Sequence, residues 1–165
     1  MIKKIFLLAA LALPLFASAQ TLKIGLVDTN SIIAAMPETT EAQNKLDELQ
    51  KNYGTQFQNL EKEFQSQLEQ YQNMSPDTPD ATKKLLESQL RETQQKADAF
   101  QQNAMEDLQK KQNEYMAPIL QKVRTAIESV GKEGSFSMIQ EVQNALYFAA
   151  PVEDVTPLVK KKLGL

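Results

Sequence analysis

The chain has 165 residues, 7% of them aromatic, with no tryptophan, histidine or cysteine. It therefore lacks the commonest general base, a thiolate nucleophile, the usual transition-metal ligands and any disulfide. Its 18 basic and 21 acidic residues give a formal net charge of −3, without the basic stripe that marks a nucleic-acid binder.

The first residues, MIKKIFLLAALALPLFASAQ, combine Lys3 and Lys4 with an apolar run from Ile5 to Phe16 and the small-residue pattern Ala17-Ser18-Ala19. This reads as a cleavable signal peptide over residues 1–19, cut after Ala19, because the apolar run is shorter than the roughly 20 residues that span a bilayer. Without Lys3 and Lys4, 16 basic residues face 21 acidic ones, and the mature chain carries −5. No later segment is apolar enough to cross a membrane, so the expectation is an exported periplasmic protein with no transmembrane segment after cleavage.

LKIGLVD, from Leu22 to Asp28, is short, apolar and bounded by polar residues, as a buried strand should be. Asn30 or Ser31 can cap a short helix carrying Ile32, Ile33 and Met36, which Pro37 ends. Two further strands are expected at Phe136 to Ile139 and Ala145 to Ala149, and a last helix at Thr156-Pro157. All strands thus lie near the chain ends, and everything between is an insertion whose ends must meet.

That insertion carries two apolar stripes. Leu46, Leu49, Tyr53, Phe57, Leu60, Phe64, Leu68 and Tyr71 follow one another at steps of 3 or 4, an 11-residue repeat close to the natural helical period. Beyond QNMSPDTPDA, a second stripe runs through Leu86, Leu90, Ala97, Phe100, Ala104, Leu108, Tyr115, Ile119 and Val123. The break from Met74 to Thr78 is too short for a free linker and reads as the tip of one antiparallel hairpin, with Thr78-Pro79 starting the return. A first arm from Thr40 to Met74 spans roughly 50 Å at 1.5 Å per residue, and an equal return ends near Asn113. Acidic residues precede basic ones by four positions in Asp47–Lys51, Glu87–Arg91, Glu92–Lys96, Glu106–Lys110 and Asp107–Lys111, which suits solvated helix faces. Pro118 lies just past the return, where the helix is expected to re-enter the body and change partner, so it is the candidate arm hinge.

The expected division is a signal peptide at 1–19, an oligomerisation body at 20–39 and 118–165, and a hairpin arm at 40–117 with its tip near 74–79. A body of roughly 65 residues without disulfides or metal is marginal alone, so assembly is expected, with Ile24, Leu26, Val27, Ile139, Leu146 and Phe148 supplying its apolar surface. Leu26→Asp should on this view dissociate the oligomer.

KIGLVDTNSIIAAMPE, the Gln/Glu/Lys-rich middle, MAPILQKVRTAIESVGKEGSFSMI and NALYFAAPVEDVTPLVKKKL together resemble the Skp/OmpH family of periplasmic chaperones over essentially all of the mature chain. The most specific parts are Gly25-Leu26-Val27-Asp28 leading to Pro37-Glu38, the segment from Pro118 to Gly131, and Asp154-Val155-Thr156. The resemblance implies a mainly α fold with a small β body, in which a long helical hairpin is inserted into an α+β oligomerisation body. It further implies a jellyfish-like homotrimer whose arms enclose a cavity. There, without ATP, family members hold unfolded outer-membrane β-barrel proteins and prevent their aggregation. The family's best-known members have basic arms, whereas residues 40–113 here are acidic on balance, so no lipopolysaccharide-binding motif is carried over.

Individual residues admit bland readings beside functional ones. Asp28, at a strand end, is the sharpest carboxylate for catalysis, but its place at the start of the next helix explains it, and no cofactor, metal or catalytic residue is expected. Lys160-Lys161-Lys162 could meet a membrane surface, but basic residues also suit a helix C-terminus. Gly54 marks either flexibility or close approach of the partner helix. Met74, Leu85, Met105 and Met116 lie off the main stripes and are the candidate client-facing residues. The alternative function is a periplasmic coiled-coil adaptor or structural protein that docks a folded partner.

Overall fold

A computed structural model of the chain describes residues 22–165. The expected signal peptide and its cleavage after Ala19 lie outside the described residues.

The order is β1 (Ile24–Val27), α1 (Thr29–Ala35), α2 (Pro37–Gln72), α3 (Asp80–Glu133), β2 (Met138–Glu141), a short 3₁₀ turn (Val142–Asn144), β3 (Val152–Asp154) and α4 (Thr156–Leu163). The strands form one parallel sheet in the order β2-β1-β3, with Ile24 opposite Met138 on one side and Val152 on the other. The molecule is mainly helical with a small three-stranded sheet, as the sequence indicates.

The helix ends are set differently from expectation. Asp28, the carboxylate expected to start this helix, caps α1 in place of Asn30 or Ser31, accepting from the Ser31 N–H at 2.9 Å. Met36 sits in an extended conformation because it precedes Pro37, and Pro37 then opens α2 from its first turn. Thr78 does not cap α3, which begins at Asp80 after Pro79. Thr156 does not cap α4 either. It is the first helical residue, and its hydroxyl accepts from the Asp28 N–H at 2.9 Å, joining the end of β1 to α4.

Two strand expectations also shift. The second strand is Met138–Glu141, two residues later than expected, and Ala145–Ala149 is not a strand at all. β1 takes its second neighbour from Val152–Asp154 instead, and Leu146, Tyr147 and Phe148 stand exposed at 105%, 85% and 53%. The apolar run that looked like a buried strand is an uncovered surface segment of the protomer.

The core lies between one face of the sheet and the helices. Val27, Ile32, Met36, Val155 and Val159 meet Ile119, Val123, Ala126 and Val130, which recur at steps of 4, 3 and 4 on one face of α3. Gly25 permits close packing here, since a Cβ would crowd side chains at 3.0 Å from Val155 and 3.2 Å from Ile139 and Phe136. Leu26 points to the opposite face from Val27 and is itself buried within the protomer. Leu26→Asp would therefore damage the protomer fold before it reached any contact between copies, which corrects the expectation for that substitution.

α2 and α3 form the hairpin, closed by a turn in which Thr78 N–H donates to the Ser75 carbonyl at 3.0 Å. Its seam is only partly sealed: Leu46, Leu49, Phe57, Leu60, Phe64 and Leu68 are all half-buried, and Leu86 and Thr93 are the buried members of the α3 side. Tyr53 meets Phe100 edge to face at 5.8 Å between ring centroids. A Cβ at Gly54 would meet nothing within 4 Å, so this glycine does not serve close helix approach.

Two substitutions test this packing. Ile32→Ala, at a site with no exposure, is expected to lower unfolding free energy by about 2–5 kcal/mol in urea denaturation. Gly54→Ala is expected to raise it by about 0.5–1 kcal/mol; a loss of stability would show that the glycine is needed for the native backbone.

Candidate functional site

Among the described residues no group of three or more acidic side chains is placed to hold a metal, and no helix is long and apolar enough to cross a membrane. Asp28 is occupied as a helix cap, and Lys160 donates to the Ser31 hydroxyl at 2.7 Å, tying α4 to α1. What remains available is the surface of the arm and of the body.

Polar bonds across the seam fix the pairing of α2 with α3. The Tyr53 hydroxyl donates to Asp107 at 2.7 Å, the Thr93 hydroxyl to Gln67 Oε1 at 2.9 Å, and the Tyr71 hydroxyl to Glu87 at 2.7 Å. The two carboxylates hold their tyrosines above the ordinary phenol pKa, because losing the hydroxyl proton would break the bond and set two anions together. Asp107 is thus used across the seam instead of pairing with Lys111, which bonds to Glu114 at 2.7 Å. Of the expected acidic–basic pairs, Glu92–Lys96 forms, at 2.9 Å, and raises the Lys96 pKa. Sequence reading missed the cross-seam bonds, although Tyr53 and Tyr71 stand in the stripe with hydroxyls that need partners.

Where the arm joins the body, Met36, Ala42, Tyr115, Pro118 and Ile119 line an open groove of about 320 Å³, with Lys45 over the Tyr115 ring. Lys122 of α3 donates to Glu38 of α2 at its mouth and holds that carboxyl below its ordinary pKa. α3 runs unbroken through Pro118, and the residues that follow it, beginning with Ile119, enter the body core.

The candidate client-facing residues do not come together. Leu85 and Met105 are each 60% exposed, but Leu85 precedes the stripe residue Leu86 whereas Met105 follows Ala104, which sets them on opposite flanks of the hairpin. Met74 is half-buried at the tip, and Met116 is half-buried against the body core. Of the candidate body residues, Leu26 and Val27 are buried in the protomer, Ile24 and Ile139 are half-buried, and Leu146 and Phe148 are exposed.

A small parallel sheet serves as the base of a long two-helix arm, and the junction groove beside it is open. The model of the family described as Outer membrane protein (OmpH-like) matches residues 23–163, and the chain belongs to that family. It is 30% identical over 157 residues to the chaperone protein Skp of Yersinia enterocolitica, covering 93% of both chains. It is 29% identical over 164 residues to Skp of Escherichia coli K12, covering 98% of this chain and 99% of that protein. Its fold is similar to a solved OmpH-like outer membrane chaperone from Caulobacter crescentus, with a TM-score of 0.68 at 12% identity, covering 85% of this chain and 82% of that one.

The Glu38–Lys122 pair gives a pH test of the arm–body junction. A carboxyl with a folded pKa below its unfolded value stabilises the fold above the unfolded value, and that contribution fades as pH falls through the folded one. Thermal unfolding followed from about pH 7 to about pH 3 should show a steeper acid loss in the parent than in Glu38→Gln. Identical profiles would mean that the pair adds nothing.

Proposed function

We propose that the chain is an ATP-independent periplasmic holdase chaperone, exported by the signal peptide at residues 1–19, that shields unfolded outer-membrane β-barrel proteins from aggregation. The observation that carries this reading is the half-open apolar seam of the arm. Two helices alone cover each other's stripe only partly, so apolar surface stays within reach of an unfolded chain along the whole length of the hairpin. An unfolded β-barrel protein exposes alternating apolar residues and unpaired strand edges, both aggregation hazards that such a surface can cover. The names of the Skp relatives support a chaperone role.

In this reading, residues 20–39 and 118–165 form an oligomerisation body, residues 40–117 form the arm, Pro118 is its hinge, and Met74, Leu85, Met105 and Met116 touch clients. Assembly into a homotrimer is supported by the sheet. Parallel sheets are ordinarily covered on both faces. Here the helical core packs on the face of Val27 and Ile139; on the other face Leu26 is buried within the protomer but Met138, on the outer strand β2, is 48% exposed, and Leu146, Tyr147 and Phe148 are also uncovered. Packing such surfaces together in three copies would gather the arms around one cavity.

The test mixes a urea-denatured outer-membrane β-barrel protein with the mature chain at equal concentration, without nucleotide. Aggregation followed by light scattering should be suppressed. Unchanged aggregation together with capture of a folded partner would favour a coiled-coil adaptor instead. Light scattering of the chain alone should report three protomers. Leu146→Ser with Phe148→Ser should shift it towards one, with helical content retained, because neither side chain is buried in the protomer.

A further inference from the structure

The two flanks of the arm differ chemically. The residue that follows each seam position on α2 faces one flank: Gln43, Gln50, Gln58, Gln65 and Gln72 fall there, with Asp47, Glu61 and Glu69. The same rule on the antiparallel α3 places Gln94, Asp98, Gln101, Met105 and Gln109 on that same flank, as the shared grooves confirm. From residue 43 to 72 and from 94 to 116 these positions include four carboxylates and no cation; Arg91, nearer the tip, is the first basic residue to follow the seam on α3.

Its grooves have apolar floors. One of about 340 Å³ is lined by Leu46, Leu108 and Met105 with Gln50, Gln109 and Gln112 on its walls. Another, of about 220 Å³, sets Leu60, Phe64 and Ala97 beneath Gln65 and Gln94. Gly54 opens the wall between Gln50 and Gln58, since it lies at the same helical position and nothing stands within 4 Å of where its Cβ would be. All of these glutamines are exposed, and apart from Gln43 to Asp47 and Gln109 to Asn113 their side chains make no hydrogen bond among the described residues.

The opposite flank also holds glutamines, but its mid-arm groove, lined by Glu63, Ser66, Gln70, Glu92, Thr93 and Lys96, has no aliphatic or aromatic floor, and its apolar groove, that of Met36, Tyr115 and Ile119, lies at the arm–body junction and carries Lys45 and Lys122. Its cations are engaged: Lys96 pairs with Glu92, Lys110 lies 3.9 Å from Glu114, and Lys45 lies over Tyr115.

We propose that the flank of Gln50, Gln65 and Gln101, which carries Met105, is the main client-binding side of the arm, with Leu85 on the other flank an outlying contact, and that it selects extended polypeptide segments whose polar side chains are neutral or basic. This rests on the holdase reading and deepens it. A side-chain amide offers both a donor and an acceptor, so free glutamines can bond unpaired backbone N–H and C=O groups of any sequence. The apolar floors take every second side chain of an extended segment, which leaves the alternate ones beside the amides and carboxylates. A cation there meets Asp47, Glu61 or Asp98, whereas a carboxylate meets only like charge and no compensating lysine.

Two labelled peptides test this, one alternating leucine with lysine and one alternating leucine with glutamate, with binding read by fluorescence anisotropy at about 0.15 M salt. Screening over about 8 Å makes the readout local to one flank of the arm. The parent is expected to bind the lysine peptide about tenfold more tightly, a difference of about 1.4 kcal/mol. Gln50→Lys, Gln65→Lys and Gln101→Lys together should abolish that preference, whereas Gln56→Lys, Gln70→Lys and Gln89→Lys on the opposite flank should leave it. Lysine and glutamine are similar helix formers, and helical content by circular dichroism checks that both variants fold. No preference in the parent, or equal loss in both variants, would overturn the proposal. If the parent suppresses β-barrel aggregation yet shows no preference, only this proposal falls; if it suppresses nothing, the holdase reading falls, and the peptides still decide whether the flank binds polypeptide.

Discussion

The parallel pairing of β1 with β2 constrains everything else. Ile24 lies opposite Met138, so two segments more than a hundred residues apart in the chain are hydrogen-bonded neighbours. Parallel neighbours need a crossover, and here α1, α2 and α3 together are the crossover. A connection of that length can return to its own start only by doubling back, which makes the turn at residues 73–79 obligatory. It also sets the helix lengths. α2 has 36 residues and α3 has 54, and the excess in α3 is the stretch from about Met116 onward that leaves the arm and packs as Ile119, Val123, Ala126 and Val130 on the sheet. One helix thus serves both as half of the arm and as the main wall of the body core.

The arm's seam shows what two helices can and cannot do. Each has neighbours on one side only, so residues that a larger bundle would bury stay half-covered, and area burial contributes less per residue than in a globular core. Register then depends more on directional contacts. Tyr53–Asp107, Gln67–Thr93 and Tyr71–Glu87 recur along the seam, and sliding one helix past the other by a turn would break all three at once. The same incompleteness keeps apolar surface accessible along the hairpin.

Much of this was legible in the sequence and some was not, for identifiable reasons. The seam residues follow from periodicity, because a 3.67-residue repeat makes one continuous stripe, while the hairpin tip follows from a short break with two prolines and the first strand from a short apolar run bounded by polar residues. Ala145–Ala149 differs from expectation because a short apolar run with aromatic content describes a buried strand and an uncovered apolar surface equally well. Only the pairing of Val152–Asp154 with β1 separates them. The caps failed for a different reason. Thr156 and Asp28 have the right chemistry for caps, but tertiary geometry gave the Thr156 hydroxyl to the Asp28 N–H and left Asp28 to cap the helix after β1. At the candidate surface, Met105 and Leu85 were found as off-stripe apolar residues, while their placement on opposite flanks required the facing of the two helices.

That facing has a consequence for solubility. An arm that keeps apolar surface open along its length risks pairing with its own copies, and charge on the faces away from the seam opposes this. Residues 40–113 carry 13 acidic and 9 basic side chains, so two such arms would repel weakly at long range. The cations lie mainly on the ion-paired flank and the outer faces, which leaves the flank of Gln50 and Gln65 acidic. Paired charge and unpaired charge are thus segregated across one hairpin, and the glutamine-walled grooves of Leu46 and Leu60 open on the side where no cation follows the seam between residues 43 and 72 or between 94 and 116.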